Sequence, residues 1–153
     1  MRNKIFLGGT CAKTNWRDIV IPKLEADYFN PAVSNWTVED ELREQQEKDF
    51  KCNVHLYLIN NEMKDVYSIA EAVDSAHSDR AYLIFIVILD KFDIAQAKSL
   101  FAVGNLIKNR DKTACVKFFS EFDEDKVANL INEYVEAPES FTKKNAAKSC
   151  TST

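Results

Sequence analysis

The chain is 153 residues long, 46% hydrophobic with ten Phe, and carries a formal net charge of −4. That is one domain's worth of chain with apolar side chains enough for its own core, and it excludes a nucleic-acid polymer as the main partner, because a phosphate backbone demands a concentrated basic surface. Cys11, Cys52, Cys115 and Cys150 are scattered, with only His55 and His77 as imidazole partners, so they read as buried thiols and not as a metal centre.

Lys4-Ile5-Phe6-Leu7 reads as the first strand. Gly8-Gly9-Thr10 then reads as a sharp turn, needed either for folding alone or for close approach of a ligand to backbone N–H groups. Asn15 to Glu25 has a helical pattern. Thr14 or Asn15 can cap it and Trp16 can cover its apolar side; the other reading has Trp16 or Arg17 closing a pocket over a flat or anionic ligand. A second strand, Ala26 to Phe29, stops at Asn30-Pro31, which is either a plain turn or a contact to a sugar or base.

The second helix runs from Val38 to Phe50, with Glu41, Glu44 and Glu47 read as a solvated face and Asp49 at its tip directed either to solvent or into the pocket region. Val54 to Ile59 is the third strand, Ser68 to His77 the third helix, and Tyr82 to Leu89 a fourth strand apolar enough to be covered on both faces. His55 reads as a satisfied core or edge histidine, and His77 as a charge partner for its helix C-terminus. A helix over Ile94 to Lys108, a strand over Ala114 to Phe119 and a helix over Glu124 to Val135 complete the series. This βα rhythm predicts five parallel strands in the order 2-1-3-4-5 with helices on both faces. Residues 1–137 form the expected domain, and 138–153, rich in Ser, Thr, Lys and Ala, a flexible C-terminal tail. With no signal peptide or membrane-length apolar run in view, a cytoplasmic location is expected.

The segment from Asn60 to Glu71 carries two carboxylates, Asp65 and Glu71, to the edge where an open α/β sheet holds its ligand. Ser68 followed by Glu71 matches a capping box, which would tie the carboxylate to the helix start. The catalytic reading begins from the same place: a carboxylate held ionised by first-turn N–H groups suits attack at an anomeric carbon as it gains oxocarbenium character. Asp65 would then face the leaving base, holding a ring nitrogen or delivering a proton. Tyr67 either hydrogen-bonds Glu71 or the sugar, or packs on the helix. Gly8, Gly9, Thr10, Trp16, Asn30, Asp49, Tyr67 and Ser68 make up the candidate substrate-binding set around Glu71 and Asp65.

Ile5-Phe6-Leu7-Gly8-Gly9-Thr10, Asn15-Trp16-Arg17, Asp27-Tyr28-Phe29-Asn30-Pro31, Asp49-Phe50, Tyr67-Ser68-Ile69-Ala70-Glu71 and the run from Phe92 to Leu100 together resemble the nucleoside 2-deoxyribosyltransferase superfamily. Within it, the chain is most similar to the small nucleoside 2-deoxyribosyltransferase-like proteins. The resemblance implies a flavodoxin-like three-layer sandwich. It also implies cleavage of the N-glycosidic bond of a 2-deoxynucleoside or its 5-phosphate, with transfer of the deoxyribosyl group to another base or to water. Glu71 falls at the position of the family's nucleophile, Asp65 at that of an Asp handling the base, and Asp49 at that of the Asp ending the helix before the third strand. Phe6 stands where a Tyr is common. The implied partner is a small nucleoside or nucleotide, with no cofactor, no metal and no membrane, in a homo-oligomer whose neighbouring subunit reaches the pocket through Asn105 or Asn109. The alternative on the same fold is a non-catalytic nucleotide-binding or assembly module.

Overall fold

In a computed structural model, residues 3–11, 15–33, 36–64 and 66–136 are described. Asp65 and the expected tail lie outside them. Five strands, β1 (Lys4–Gly9), β2 (Asp27–Phe29), β3 (Val54–Ile59), β4 (Tyr82–Ile88) and β5 (Cys115–Phe119), form one sheet in the order β2-β1-β3-β4-β5. Every pairing is parallel, with Ile5 opposite Val54 and Ile84 opposite Cys115. This is the strand order predicted from the alternation of apolar runs and helical patterns, and the flavodoxin-like sandwich that the family resemblance implied.

Strand side chains alternate between faces, and the two faces build two cores. Ile5, Leu7, Leu56, Leu58, Ile84 and Ile86 pack on one side with α1 (Trp16–Val20) and α5 (Glu124–Glu136). Phe6, Tyr57, Ile59, Leu83, Phe85 and Val87 pack on the other with α3 (Tyr67–His77) and α4 (Ile94–Arg110). β3 and β4 are buried along their whole length, as strands covered on both faces must be. Each fully buried large side chain contributes roughly 1.5–3 kcal/mol, so these two strands anchor the fold.

Several elements differ from their expected bounds for identifiable reasons. The first helix stops at Val20 and tightens into a 3₁₀ turn, Ile21–Lys23, because Pro22 has no N–H to donate and its ring would crowd the carbonyl one turn back. α2 (Val38–Gln46) starts at a capping box, Thr37 Oγ1 accepting from the Asp40 N–H at 3.3 Å and Asp40 Oδ2 from the Thr37 N–H at 2.9 Å. It ends in a π turn, Glu47–Lys51, closed by the Cys52 N–H on the Glu47 carbonyl at 2.8 Å. Gly8 and Gly9 belong to β1 and do not form a turn after it. Gly9 has φ +115°, and a Cβ there would collide with the Leu58 carbonyl, so only glycine lets β1 run this far beside β3.

Among the described residues, no helix is long and apolar enough to cross a membrane.

Candidate functional site

The strand order reverses between β2-β1 and β3-β4-β5, and at such a point the helices following neighbouring strands diverge to opposite faces, leaving a crevice at the strand C-termini. A cavity of about 470 Å³ opens there, walled by the end of β1, the inner face of α2 and the start of α3. That is the size range, about 300–1,000 Å³, of small-molecule sites.

The β1 end is held from behind. Arg17, buried on α1, donates from Nε to the Leu7 carbonyl (2.8 Å), from Nη1 to the Thr10 carbonyl (2.9 Å) and from Nη2 to the Gly9 carbonyl (3.3 Å). Desolvation lowers the Arg17 pKa, with Cys11 and Glu44 opposing. Trp16 is in the core and its Nε1 donates to the same Thr10 carbonyl at 3.0 Å. Thr10 Oγ1 accepts from the Asn60 N–H at 3.1 Å, tying the end of β1 to the end of β3.

The capping box expected at Ser68 and Glu71 does not form. α3 begins at Tyr67 with Val66 as its N-cap and no side-chain cap, and no acidic residue lies in its first turn. Ser68 Oγ instead donates to the Gly9 carbonyl at 3.2 Å, pinning α3 to β1. Glu71, one turn further on, faces the cavity and accepts from Lys48 Nζ on Oε2 at 2.9 Å; the two side chains are 10% and 12% exposed. The positive charge beside Glu71 thus comes from a lysine in the π turn that follows α2, not from the helix start. For Lys48, desolvation works against the charge, but the hydrogen bond and charge of Glu71 outweigh it and hold the ammonium above its ordinary value.

Lys48 is itself positioned through its main chain. Its carbonyl accepts from His55 Nε2 at 2.7 Å, and His55 Nδ1 meets Ser75 Oγ at 2.9 Å. A carbonyl only accepts, so Nε2 carries the proton; in a neutral imidazole Nδ1 then accepts from Ser75, whose oxygen in turn accepts from Tyr57 Oη at 3.3 Å. Burial keeps that phenol's pKa well up, which suits its role as a donor.

The expected solvated face of α2 is exposed at Glu41 and half-buried at Glu44, and it borders the cavity. Glu41, Glu44, Gln45 and Lys48 recur at helical spacing and line the cavity, while Leu42 is 57% exposed. Glu47 is buried, paired with Lys4 at 2.8 Å and Lys51 at 3.3 Å. Trp36 borders the cavity beside Glu44. Burial first, and then the charge of Glu71, raise the Glu44 pKa, against the pull of Trp36, Lys48 and Arg17. The wall therefore alternates in sign: Arg17, Glu44, Lys48, Glu71.

Of the expected set, Gly8, Gly9, Thr10, Tyr67, Ser68 and Glu71 share the cavity wall. Trp16 does not, being buried behind it. Asn30 caps its own turn, Oδ1 accepting from the Ala32 N–H at 3.0 Å, while Pro31 and its neighbours reach the wall. Asp49 is exposed on the π turn, away from the lining. Trp36, Glu44 and Lys48 were missed; Glu44 and Lys48 belong to a polar i, i+3, i+7 series with Glu41, whereas Trp36, before the helix, left no such signal.

A search of curated proteins finds no match, and neither does a search of solved structures. The sequence profile of the family described as nucleoside 2-deoxyribosyltransferase like matches residues 2–87, from β1 through β4 and across the whole cavity wall. With that match over more than half of its length, the chain belongs to the nucleoside 2-deoxyribosyltransferase-like family, whose chemistry concerns nucleosides and nucleotides.

Proposed function

We propose that the protein cleaves the N-glycosidic bond of a 2-deoxynucleoside or its 5-phosphate with Glu71 as nucleophile, the deoxyribosyl group passing to another base or to water. The observation that supports this most is Glu71 itself, a carboxylate facing a nucleoside-sized cavity with Oε2 on Lys48 and not on the backbone of its own helix. Attack is assigned to the other oxygen, Oε1. As the bond from C1 to the base stretches, the sugar takes on oxocarbenium character, and a fixed carboxylate both stabilises it and captures it as a glycosyl ester. A second displacement by water or a base frees Glu71, so the transfer proceeds with retention at C1. Asp65 enters this reading on the base side through the family resemblance alone.

The reading as a binding or assembly module draws on the same ion pair, since a carboxylate with a resident counter-ion is a weaker nucleophile. Base release from a panel of 2-deoxynucleosides and their 5-phosphates, measured for the wild type and for Glu71→Ala, decides between them. The expected result is release by the wild type that falls by about three orders of magnitude or more in the variant. Thermal stabilisation by a ligand with no release from either protein refutes catalysis and supports the module.

A further inference from the structure

Lys48 and Glu71 are enclosed together, at 12% and 10% exposure, whereas Lys4 in the Lys4–Glu47 pair is 31% exposed. Little water competes for the contact, so the two charges act on each other with less screening than a surface pair. The ammonium is also fixed from behind. His55 Nε2 holds the Lys48 carbonyl at 2.7 Å, and the same ring meets Ser75 at 2.9 Å on the helix that carries Glu71. Arg17, another cation of the wall, already gives Nε, Nη1 and Nη2 to the main-chain carbonyls at the end of β1. Lys48 is therefore the cation in contact with the proposed nucleophile, and Glu44 lies within electrostatic reach of both groups.

Resting on the proposed Glu71 reaction, we infer that Lys48 drives release of the sugar from Glu71 by holding the oxygen on which negative charge reappears. In the first step a Glu71 oxygen forms its bond to C1 while the C1–N bond breaks with its electron pair going to the base, which collects a proton from solvent. The carboxylate loses its charge there, and the adjacent ammonium opposes the change. In the second step water, or a ring nitrogen of an acceptor base, forms its bond to C1 and gives its proton to solvent. The C1–O bond then breaks with its pair returning to Glu71. Negative charge grows across both carboxylate oxygens, and Lys48 Nζ already stands 2.9 Å from Oε2. A donor fixed in advance where charge develops lowers the barrier without reorganising. Lys48 thus acts through Glu71 as a positioning residue, with opposite effects on the two half-reactions.

The test follows base release by Lys48→Met through the first turnover and into the steady state at about pH 8, above the carboxylate range. The first turnover is expected to be at most about twofold slower than in the wild type, and the steady-state rate about 10–10²-fold lower, the loss that one charge-assisted hydrogen bond implies. A burst of base equal to the enzyme present should therefore appear, with intact-protein mass showing a deoxyribosyl group added and peptide mapping placing it on Glu71. Lys48→Arg restores a cation and should return most of the steady-state rate. Lys48→Gln, neutral like the methionine, should keep the burst and carries the comparison if Lys48→Met fails to fold. A purely structural role would slow both phases alike. That result, or steady-state turnover faster than wild type, with Glu71→Ala still inactive, overturns the role of Lys48 and leaves the Glu71 reaction standing. Release of base from no substrate by the wild type refutes the Glu71 reaction and the Lys48 role together.

Discussion

Arg17→Met tests whether a buried guanidinium holds the end of β1 in place. Three main-chain carbonyls would lose charged donors, those of Leu7, Thr10 and Gly9 at 2.8, 2.9 and 3.3 Å. A hydrogen bond from a charged group contributes about 1.5–3 kcal/mol, but not all three losses are uncompensated. The Thr10 carbonyl keeps its bond from Trp16 Nε1 and the Gly9 carbonyl its bond from Ser68 Oγ, whereas Leu7 is 0% exposed and water does not replace the donor its carbonyl loses. Relief of the desolvation borne by Arg17 offsets a further part. The net expectation is a loss of about 3 kcal/mol, or a fall in Tm of about 9 °C for a domain of this size. Arg17→Lys keeps the charge but not the planar fork, can satisfy only part of the set, and should lose about half as much. Urea denaturation followed by tryptophan fluorescence reads both, because Trp16 is buried beside the same Thr10 carbonyl. Midpoints for both variants within about 1 kcal/mol of wild type, or a lysine variant indistinguishable from methionine, would refute the reasoning.

The Lys48–Glu71 pair predicts an alkaline signature. The folded pKa of Lys48 lies above 10.5, so its contribution is fully present below that value and is lost as pH rises through the higher folded one. Between about pH 9 and 12 the wild type should lose more stability than Lys48→Met in paired urea titrations; parallel curves would contradict the pairing. The thiols should separate by accessibility, since Cys52 is buried with its pKa pushed up to about 12 by desolvation while Cys11 is exposed. A thiol reagent at pH 8 should label Cys11 in the native protein and Cys52 only after unfolding, as read by peptide mass mapping.

The sheet was legible because its signals are local: runs such as Tyr82 to Ile88 are apolar throughout, and Pro and Gly punctuate the chain between them. The cavity was legible only in part, because its walls meet through long-range contacts that no window of sequence contains. Ser68 followed by Glu71 looked like a local cap; in the fold Ser68 bonds to Gly9 and Glu71 to Lys48, partners 59 and 23 residues away. The inner face of α2 was misread on a different ground. Amphipathic logic assumes that the inward side of a helix is apolar, and here half-buried Glu44 and Lys48, with exposed Gln45, border a cavity. Trp16 and Arg17 were recognised as important, and the structure directs both at the backbone of β1.

The imidazole of His55 has a mechanical effect beyond its own hydrogen bonds. It spans from the Lys48 carbonyl to Ser75, and Ser75 sits one helical turn below Glu71, which Lys48 grips with its side chain. Two rungs therefore join the tail of α2 to α3, like a ladder braced at both heights. Sliding one helix past the other would break both rungs at once, so that side of the cleft behaves as a fixed jamb. Beside that jamb the rim of the cavity carries the two half-open rings of Trp36 and Tyr67.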